Sequence, residues 1–411
     1  MQRVAETKVG SNSETVRRDN LKAILDHLHR LGPVSRSDLV ARTGLNRSTV
    51  GVLVGELSQR GLVDEIPGDR GLRGRPSPLV RPIPESAVVL AVEIAVDSLA
   101  VALVGLGGSI LHQVRLRLDQ VTRQPQETVE EIAHMIEGLR AAHPFPDSRV
   151  VAVGVAVVGV VRNSDGLVHL APNIGWSGVP LASLLADLLG ISPVVVGNEA
   201  DLACIAEHTR GTGSGIPDLF YLSGEVGIGG GAMVGGDLLF GAAGYGGEVG
   251  HMTVNLDGVG CRCGSSGCWE TEIGEEALLR RLGRSDEPRT PELIDEVIGA
   301  AGEGDEQVVT AMASLGRWLG IGLATLINVF NPRMIVLGGF LARVYPFAAA
   351  EMYGEISRRA LAVTRSGVVI EPSSLGDEAQ LLGAAERGFE RLLADPGSWT
   401  ANGMEVGAAT D

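Results

Sequence analysis

Three of the chain's four cysteines, Cys261, Cys263 and Cys268, fall within eight residues, and His251 precedes the first of them by ten positions. Three thiols and an imidazole are the soft and borderline donors that complete a tetrahedral zinc site and leave no position for water. One structural Zn2+ per chain, held by His251, Cys261, Cys263 and Cys268, is therefore expected. Gly260, Gly264 and Gly267 would let so short a loop wrap an ion. Cys204 stands alone in a helical stretch and reads as a small core residue. Glu248 lies three residues before His251, and Glu270 lies two after Cys268. One ion would thus fix the loops that present Glu248, His251 and Glu270, and carboxylates suit paired hydroxyl donors.

The elements that must position these residues follow from patterning. The chain has 411 residues, 45% hydrophobic and 20% charged, enough for two or three domains with a large core. From residue 87, "AVVLAVEIAVDSLAVALVGLGGSIL" reads as two strands joined by a turn, with a second turn at Gly107 and Gly108. "RVVAVGVAVVGVV", "PVVVGNEA", the hairpin "LFYLSGEVGIGGGAMVGGDLLFG" and "MIVLGGFLA" add further strands. Helical patterns cover residues 127–142, 181–189, 291–301, 305–329 and 378–393. The result is an α/β body of two similar halves around a cleft, with the last helix returning to the first half. Residues 397–411 are expected to be disordered. The opening residues are polar, and the longest apolar run, residues 150–161, is shorter than the roughly 20 residues of a membrane span. No membrane association and a cytoplasmic location are expected.

Charge divides the chain. Residues 1–81 hold 14 Lys/Arg against 9 Asp/Glu, a net of +5, whereas the remainder holds 20 against 41, a net of −21. A basic head on an acidic body suits nucleic-acid contact through the head alone. "LKAILDHLHRLG" places Leu21, Ile24, Leu25 and Leu28 on one helical face, ended by Gly32 and Pro33. A second helix starts with Ser35 and Asp38 in capping-box positions and ends near Gly44. A third starts after Asn46, with Val50, Leu53, Val54 and Leu57 inward. Arg36, Asn46, Arg47, Ser48 and Thr49 are the candidate DNA contacts of this helix-turn-helix. "LVDEIPGDRGLRGRPSPLVRPI" reads as a wing, with Arg70, Arg73 and Arg75 suited to the minor groove.

Taken together, "APNIGW", "GNEADLACIAEH", "GIGGGAMVGGDLLFG", "GGEVGHM", "CRCGSSGCWE", "NVFNPRMIVLGG" and "LGDEAQLLGAA" resemble the ROK family of repressors and sugar kinases, in its regulator branch. The resemblance covers about residues 12–395. It implies a two-lobed actin-like (RNase H-like) body behind a winged helix-turn-helix. The expected divisions are residues 1–82 for the head, 83–197 with 378–396 for the first lobe, and 198–377 for the second. It further implies that Asn173, Asn198, Glu199, Glu248, His251 and Glu270 contact a monosaccharide or related sugar, and that a homodimer or homotetramer reads a palindromic operator.

Kinases of the family carry a D-x-G-G-T hairpin, a G-T-G-I-G-G-G run and an Asn-Asp-Ala-Asn motif for the nucleotide and the catalytic base. Here Glu93, Ala95, Val96 and Asp97 replace the first set, Glu225 and Val226 alter the second, and Glu199 replaces the aspartate of the third. No catalytic residues are therefore assigned, and a sugar-responsive regulator is expected. The alternatives are a sugar kinase with a DNA-binding appendage and a repressor governed by a protein partner.

Overall fold

Leu21, Ile24, Leu25 and Leu28 recur at helical spacing, and all four are buried on one face of α1 (Ser13–Leu31). The structure, a computed structural model, describes residues 13–68, 78–118, 122–146, 149–224, 226–242, 244–400 and 403–404. The wing arginines Arg70, Arg73 and Arg75, and Glu225, lie outside the described residues. Ser35 caps α2 (Arg36–Thr43): its hydroxyl accepts from the Asp38 N–H at 3.1 Å and donates to the Asp38 carboxylate at 2.8 Å. Gly44 ends α2 with φ of 68°, a left-handed conformation that favours glycine. Asn46 caps α3 (Arg47–Gln59), and Val50, Leu53, Val54 and Leu57 turn inward. Three short strands complete the head in the spatial order Val34–Ser35, Leu79–Pro82, Val63–Ile66. This is the layout of a winged helix.

The body contains two five-stranded sheets of one topology. In the first, Val88–Ile94, Ser98–Gly105 and Ser109–Arg117 are antiparallel neighbours, and Val150–Val157 and Val194–Asn198 add in parallel. The second repeats the pattern with Leu219–Gly224, Ile228–Val234 and Asp237–Leu238, then Met334–Gly338 and Val369–Pro372. Every residue of Val88–Ile94 and of Ser98–Gly105 is buried, as a sheet covered on both faces requires. A smaller sheet, Val160–Arg162, Leu167–Ala171 and Trp176–Val179, projects from the first lobe.

Two helices tie the lobes together. Glu199–Thr209 turns Leu202 and Ala206 toward the core shared with Ala379–Ala394, while Ala203 and Cys204 pack with Tyr221, Met233 and Val336 of the second sheet. Where the helices cross, a Cβ on Gly383 would lie 1.8 Å from the Leu202 carbonyl oxygen, so only glycine permits the approach. The core that includes Leu21, Leu28 and Leu57 of the head continues without a break into Leu381, Phe389 and Trp399.

Glu306–Phe330 is, among the described residues, the one helix long and apolar enough to cross a membrane. Leu315, Leu319, Leu323 and Ile327 bury its inner face in the second-lobe core, packed with Val344, Ala348 and Met352 of Gly339–Arg359. The expected disorder of residues 397–411 is corrected over its first part. Trp399 is 2% exposed, its carbonyl accepts from Arg60, and Trp399–Thr400 pairs with Gly403–Met404. The indole packs into the core shared by the head and the first lobe and helps to anchor this segment; residues 401–402 and 405–411 are not among those described.

Candidate functional site

The loop that follows Met252 is folded back by backbone bonds: Val254 N–H to Gly267 O, Gly267 N–H to Val259 O, and Cys261 N–H to Ser265 O. Gly264 and Gly267 adopt φ of 92° and 67°, and a Cβ on Gly267 would lie 1.6 Å from the Asn255 carbonyl oxygen. Gly260, expected to serve the same purpose, has neither a positive φ nor a neighbour within 4 Å of a Cβ. Trp269 anchors the loop, fully buried with its indole N–H on the Trp318 carbonyl.

This folding brings His251, Cys261, Cys263 and Cys268 together, with their ligand atoms all within 4.8 Å of one another. Cys263 and Cys268 sulfurs are 3.7 Å apart, and Cys261 Sγ is 3.7 Å from His251 Nδ1. Tetrahedral zinc–thiolate bonds of about 2.3 Å require sulfur separations of about 3.8 Å. The donor set and its spacing therefore fit a four-coordinate metal ion, with every ligand supplied by the chain. Cys204 is fully buried away from this cluster, and burial pushes its thiol far up.

His251 faces two ways. Nδ1 lies toward Cys261, and Nε2 is 4.0 Å from Glu248 Oε2. Its Nδ1 is also 3.8 Å from Glu270 Oε1, which accepts from the Cys261 thiol at 2.8 Å. One ring thus lies between the metal cluster and both carboxylates. Burial raises the Glu248 carboxyl, His251 opposes this, and Glu270 adds to it.

The glycine strand Ile228–Val234 and the turn before it are where the remaining candidates meet. A Cβ on Gly227 would lie 3.1 Å from Glu270 Oε2 and 3.9 Å from Asn173 Nδ2. One on Gly229 would lie 2.9 Å from the Ala200 Cβ and 3.6 Å from Glu199 Oε1. Asn173, in the turn between Leu167–Ala171 and Trp176–Val179 of the small first-lobe sheet, therefore approaches Glu270 and Gly227 across the cleft. Asn198 is occupied differently: Oδ1 accepts from the Ala200 and Asp201 N–H groups, and Nδ2 donates to the Gly159 carbonyl and, at 2.7 Å, to Glu199 Oε2. It caps the Glu199–Thr209 helix and orients the Glu199 carboxylate.

Three residues with no role assigned from the sequence complete the picture. Arg262, between two of the cysteines, donates to Asn173 Oδ1 at 3.2 Å and to Glu276 Oε1 at 2.5 Å, linking the cysteine loop to the opposite lobe. Asp201 is 5% exposed, and its Oδ1 has no partner among the described residues. Burial raises its carboxyl to about 7, with Glu248 adding and Arg387 opposing. Arg115 donates to Glu93 Oε2 at 2.8 Å, to Ser98 Oγ at 3.3 Å and to the Asp377 carbonyl at 3.2 Å. Glu93 is buried there; burial raises its carboxyl and Arg115 opposes this. Ala95 and Val96 beside it are buried too, Val96 in the first-lobe core.

In the head, Arg47 and Ser48 are exposed at the start of α3, and none of the described residues forms an ion pair with Arg47. Thr49 is half-buried. Asn46 Oδ1 accepts from the Thr49 N–H and the Ser48 hydroxyl, so its acceptor caps the helix. Arg36 is exposed but engaged by Glu65 at 2.6 Å.

Residues 22–74 match the MarR family. The chain is 29% identical over 378 residues to the xylose repressor of Bacillus spizizenii, covering 92% of this chain and 97% of that one. It is 30% identical over 316 residues to a glucokinase of Streptomyces coelicolor, covering 73% of this chain and 96% of the kinase. Its fold is similar, with a TM-score of 0.75 and 24% identity, to a ROK family transcriptional regulator homologous to the Escherichia coli MLC protein, over 92% of this chain and 97% of that one. Residues 89–387 match the ROK family itself, and the chain belongs to that family.

Proposed function

We propose that the chain is a sugar-responsive DNA-binding transcriptional repressor of carbohydrate-utilisation genes. The observation that carries this reading is the extent of likeness: xylose-repressor similarity spans head and body, whereas glucokinase similarity spans 73% of the chain. The head supplies operator contact, with Arg47, Ser48 and Thr49 at the exposed end of α3 and Arg36 beside them. Arg70, Arg73 and Arg75 serve as the wing contacts in this reading. Two heads of a homodimer or homotetramer would read a palindromic operator in the cytoplasm.

The cleft is the sensor. Glu248, His251 and Glu270 offer hydroxyl partners on the second lobe, with Asn173 facing them and Glu199 at the helix start. Asn198 acts by holding Glu199. His251, Cys261, Cys263 and Cys268 would hold a zinc ion that supplies a rigid cross-link, and the chain's own side chains would make the sugar contacts. Sugar binding favours one closure of the lobes only to the extent that it binds that closure more tightly.

The chain is not a sugar kinase in this reading. Family kinases place glycines and an aspartate where Glu93 is paired to Arg115 and Val96 packs into the core. A triphosphate would have to displace a buried ion pair and meet carboxylates instead of backbone N–H groups. Calorimetry with a monosaccharide panel that includes D-xylose and D-glucose tests both points. Binding without ATP supports the sensor, and formation of a sugar phosphate with ATP and magnesium overturns it.

A further inference from the structure

Asn198 and Glu199 start a helix in the cleft, and that helix ends at Thr209. Eleven residues at 1.5 Å each carry it about 16 Å. The next residue, Arg210, enters a buried polar junction with the head. Its Nε donates to Glu386 Oε1 at 2.6 Å, and its Nη1 donates to the His29 carbonyl at 3.0 Å and the Gly107 carbonyl at 2.7 Å. Nη2 is 2.7 Å from His29 Nε2, which is 3.1 Å from Glu386 Oε2. The Gly107 N–H donates to His29 Nδ1 at 3.0 Å. His29 belongs to α1 of the head, Gly107 to the first-lobe hairpin, and Glu386 to the Ala379–Ala394 helix. Side-chain exposures are 0% for His29, 7% for Glu386 and 12% for Arg210.

We propose that Arg210 is the positioning residue that transmits the state of the cleft to the DNA-binding head. The inference rests on the reading of the cleft as a sugar sensor and names the element that carries its output. The geometry leaves little slack along the way. Gly383 permits backbone contact between the two interlobe helices, and a Cβ on Gly108 would lie 2.0 Å from the Arg210 guanidinium carbon. His29 also packs edge-on against Phe389 at 5.0 Å between centroids.

A neutral His29 would admit two hydrogen-bonding arrangements at this junction, one for each tautomer. A neutral imidazole offers one acceptor nitrogen, yet Nδ1 faces the Gly107 N–H and Nε2 faces an Arg210 donor and a Glu386 acceptor. With the proton on Nε2, His29 donates to Glu386 and keeps Gly107. With the proton on Nδ1, it accepts from Arg210 and gives up Gly107. A shift of the helix end that moves Arg210 relative to Glu386 selects between them, and so sets how α1 sits on the body. An element with two discrete arrangements is the physical form a coupling requires.

The test uses full-length protein, D-xylose and D-glucose, and a DNA duplex selected by that protein from random sequence. The variants are Arg210→Lys and the paired Arg210→Gln/Glu386→Gln. The pair removes both charges together, leaving no lone buried ion. In the parent, saturating sugar should change duplex affinity about tenfold, within the usual range of coupling. Both variants should bind sugar, without DNA, within about threefold of the parent. The paired variant should lose the sugar effect to below about twofold, and Arg210→Lys should retain part of it, because ammonium cannot fork to three acceptors. Variants that bind sugar and duplex like the parent and keep the full sugar effect overturn the role of Arg210. A parent that binds no sugar, or whose duplex affinity ignores it, overturns the sensor reading and this inference with it.

Discussion

On the first-lobe wall of the cleft, Glu93 is buried and its carboxylate is committed to Arg115. On the second-lobe wall, Glu248 and His251 are 43% and 39% exposed and lie at long range from each other, 4.0 Å. One wall has satisfied its polar groups within the protein; the other holds them in place and leaves them open. The means of holding also differ. The first wall uses side chains packed into a core, Val96 among them, whereas the second uses a short loop gathered around four metal-type ligands. An open carboxylate costs little while water reaches it, and it becomes selective when a ligand's hydroxyls replace that water. In the function proposed above, this contrast would let the cleft recognise a sugar without offering a place for a nucleotide.

The contrast is broken most severely by removing the metal ligands. Cys263→Ser should abolish stoichiometric zinc in metal analysis and lower sugar affinity by about a hundredfold or more, because the cluster ties the cysteine loop to the His251 ring and to the helix start that carries Glu270. Retained affinity with no metal would mean the cluster does not organise the wall. Arg115→Met leaves Glu93 buried without its partner and should cost about 3 kcal/mol in chemical denaturation. Its sugar affinity should stay near that of the parent; a matching loss of affinity would show that the first wall also touches the ligand. Glu248→Gln should weaken sugar binding by roughly ten- to a hundredfold, corresponding to about 1.5–3 kcal/mol for a charged hydrogen bond. Duplex affinity without sugar should be unchanged.

The smallest effect concerns pH. The Asp201 carboxyl is raised to about 7 from its ordinary 3.8, so between those values the folded chain holds a proton that the unfolded chain has released. Its contribution therefore favours the fold most at low pH, declines as pH rises from about 4 to 7, and is flat above. Asp201→Asn should remove that decline in denaturation curves taken across the interval. An unchanged pH profile would assign the buried Oδ1 a partner that satisfies it.

Local chemistry was legible in the sequence, and long-range partners were not. The Cys261, Cys263 and Cys268 spacing, the caps at Ser35 and Asn46, and the glycine at Gly44 each act within a few residues, and the structure places them as their types require. Asn198 also caps a helix, and an asparagine whose acceptor closes a helix N-terminus has that much less to offer a ligand or a base. Arg115, Arg210 and Arg262 went unread because their partners stand 22, 176 and 89 positions away, at Glu93, Glu386 and Asn173. Trp399 was missed for the same reason. Its environment is made by the head, through the Arg60 side chain, and by the last helix, neither of which a tail composition reveals.

In the function proposed above, sugar alone, without nucleotide, governs DNA binding through the second-lobe wall. The most direct measurement is fluorescence anisotropy of the selected duplex with full-length protein, titrated with D-xylose, D-glucose and related monosaccharides in buffer free of ATP. At least one sugar should release the duplex in a saturable manner, and Glu248→Gln should shift the midpoint to higher sugar. Anisotropy that ignores every sugar until ATP and magnesium are added, with sugar phosphate appearing in the same tube, would contradict it.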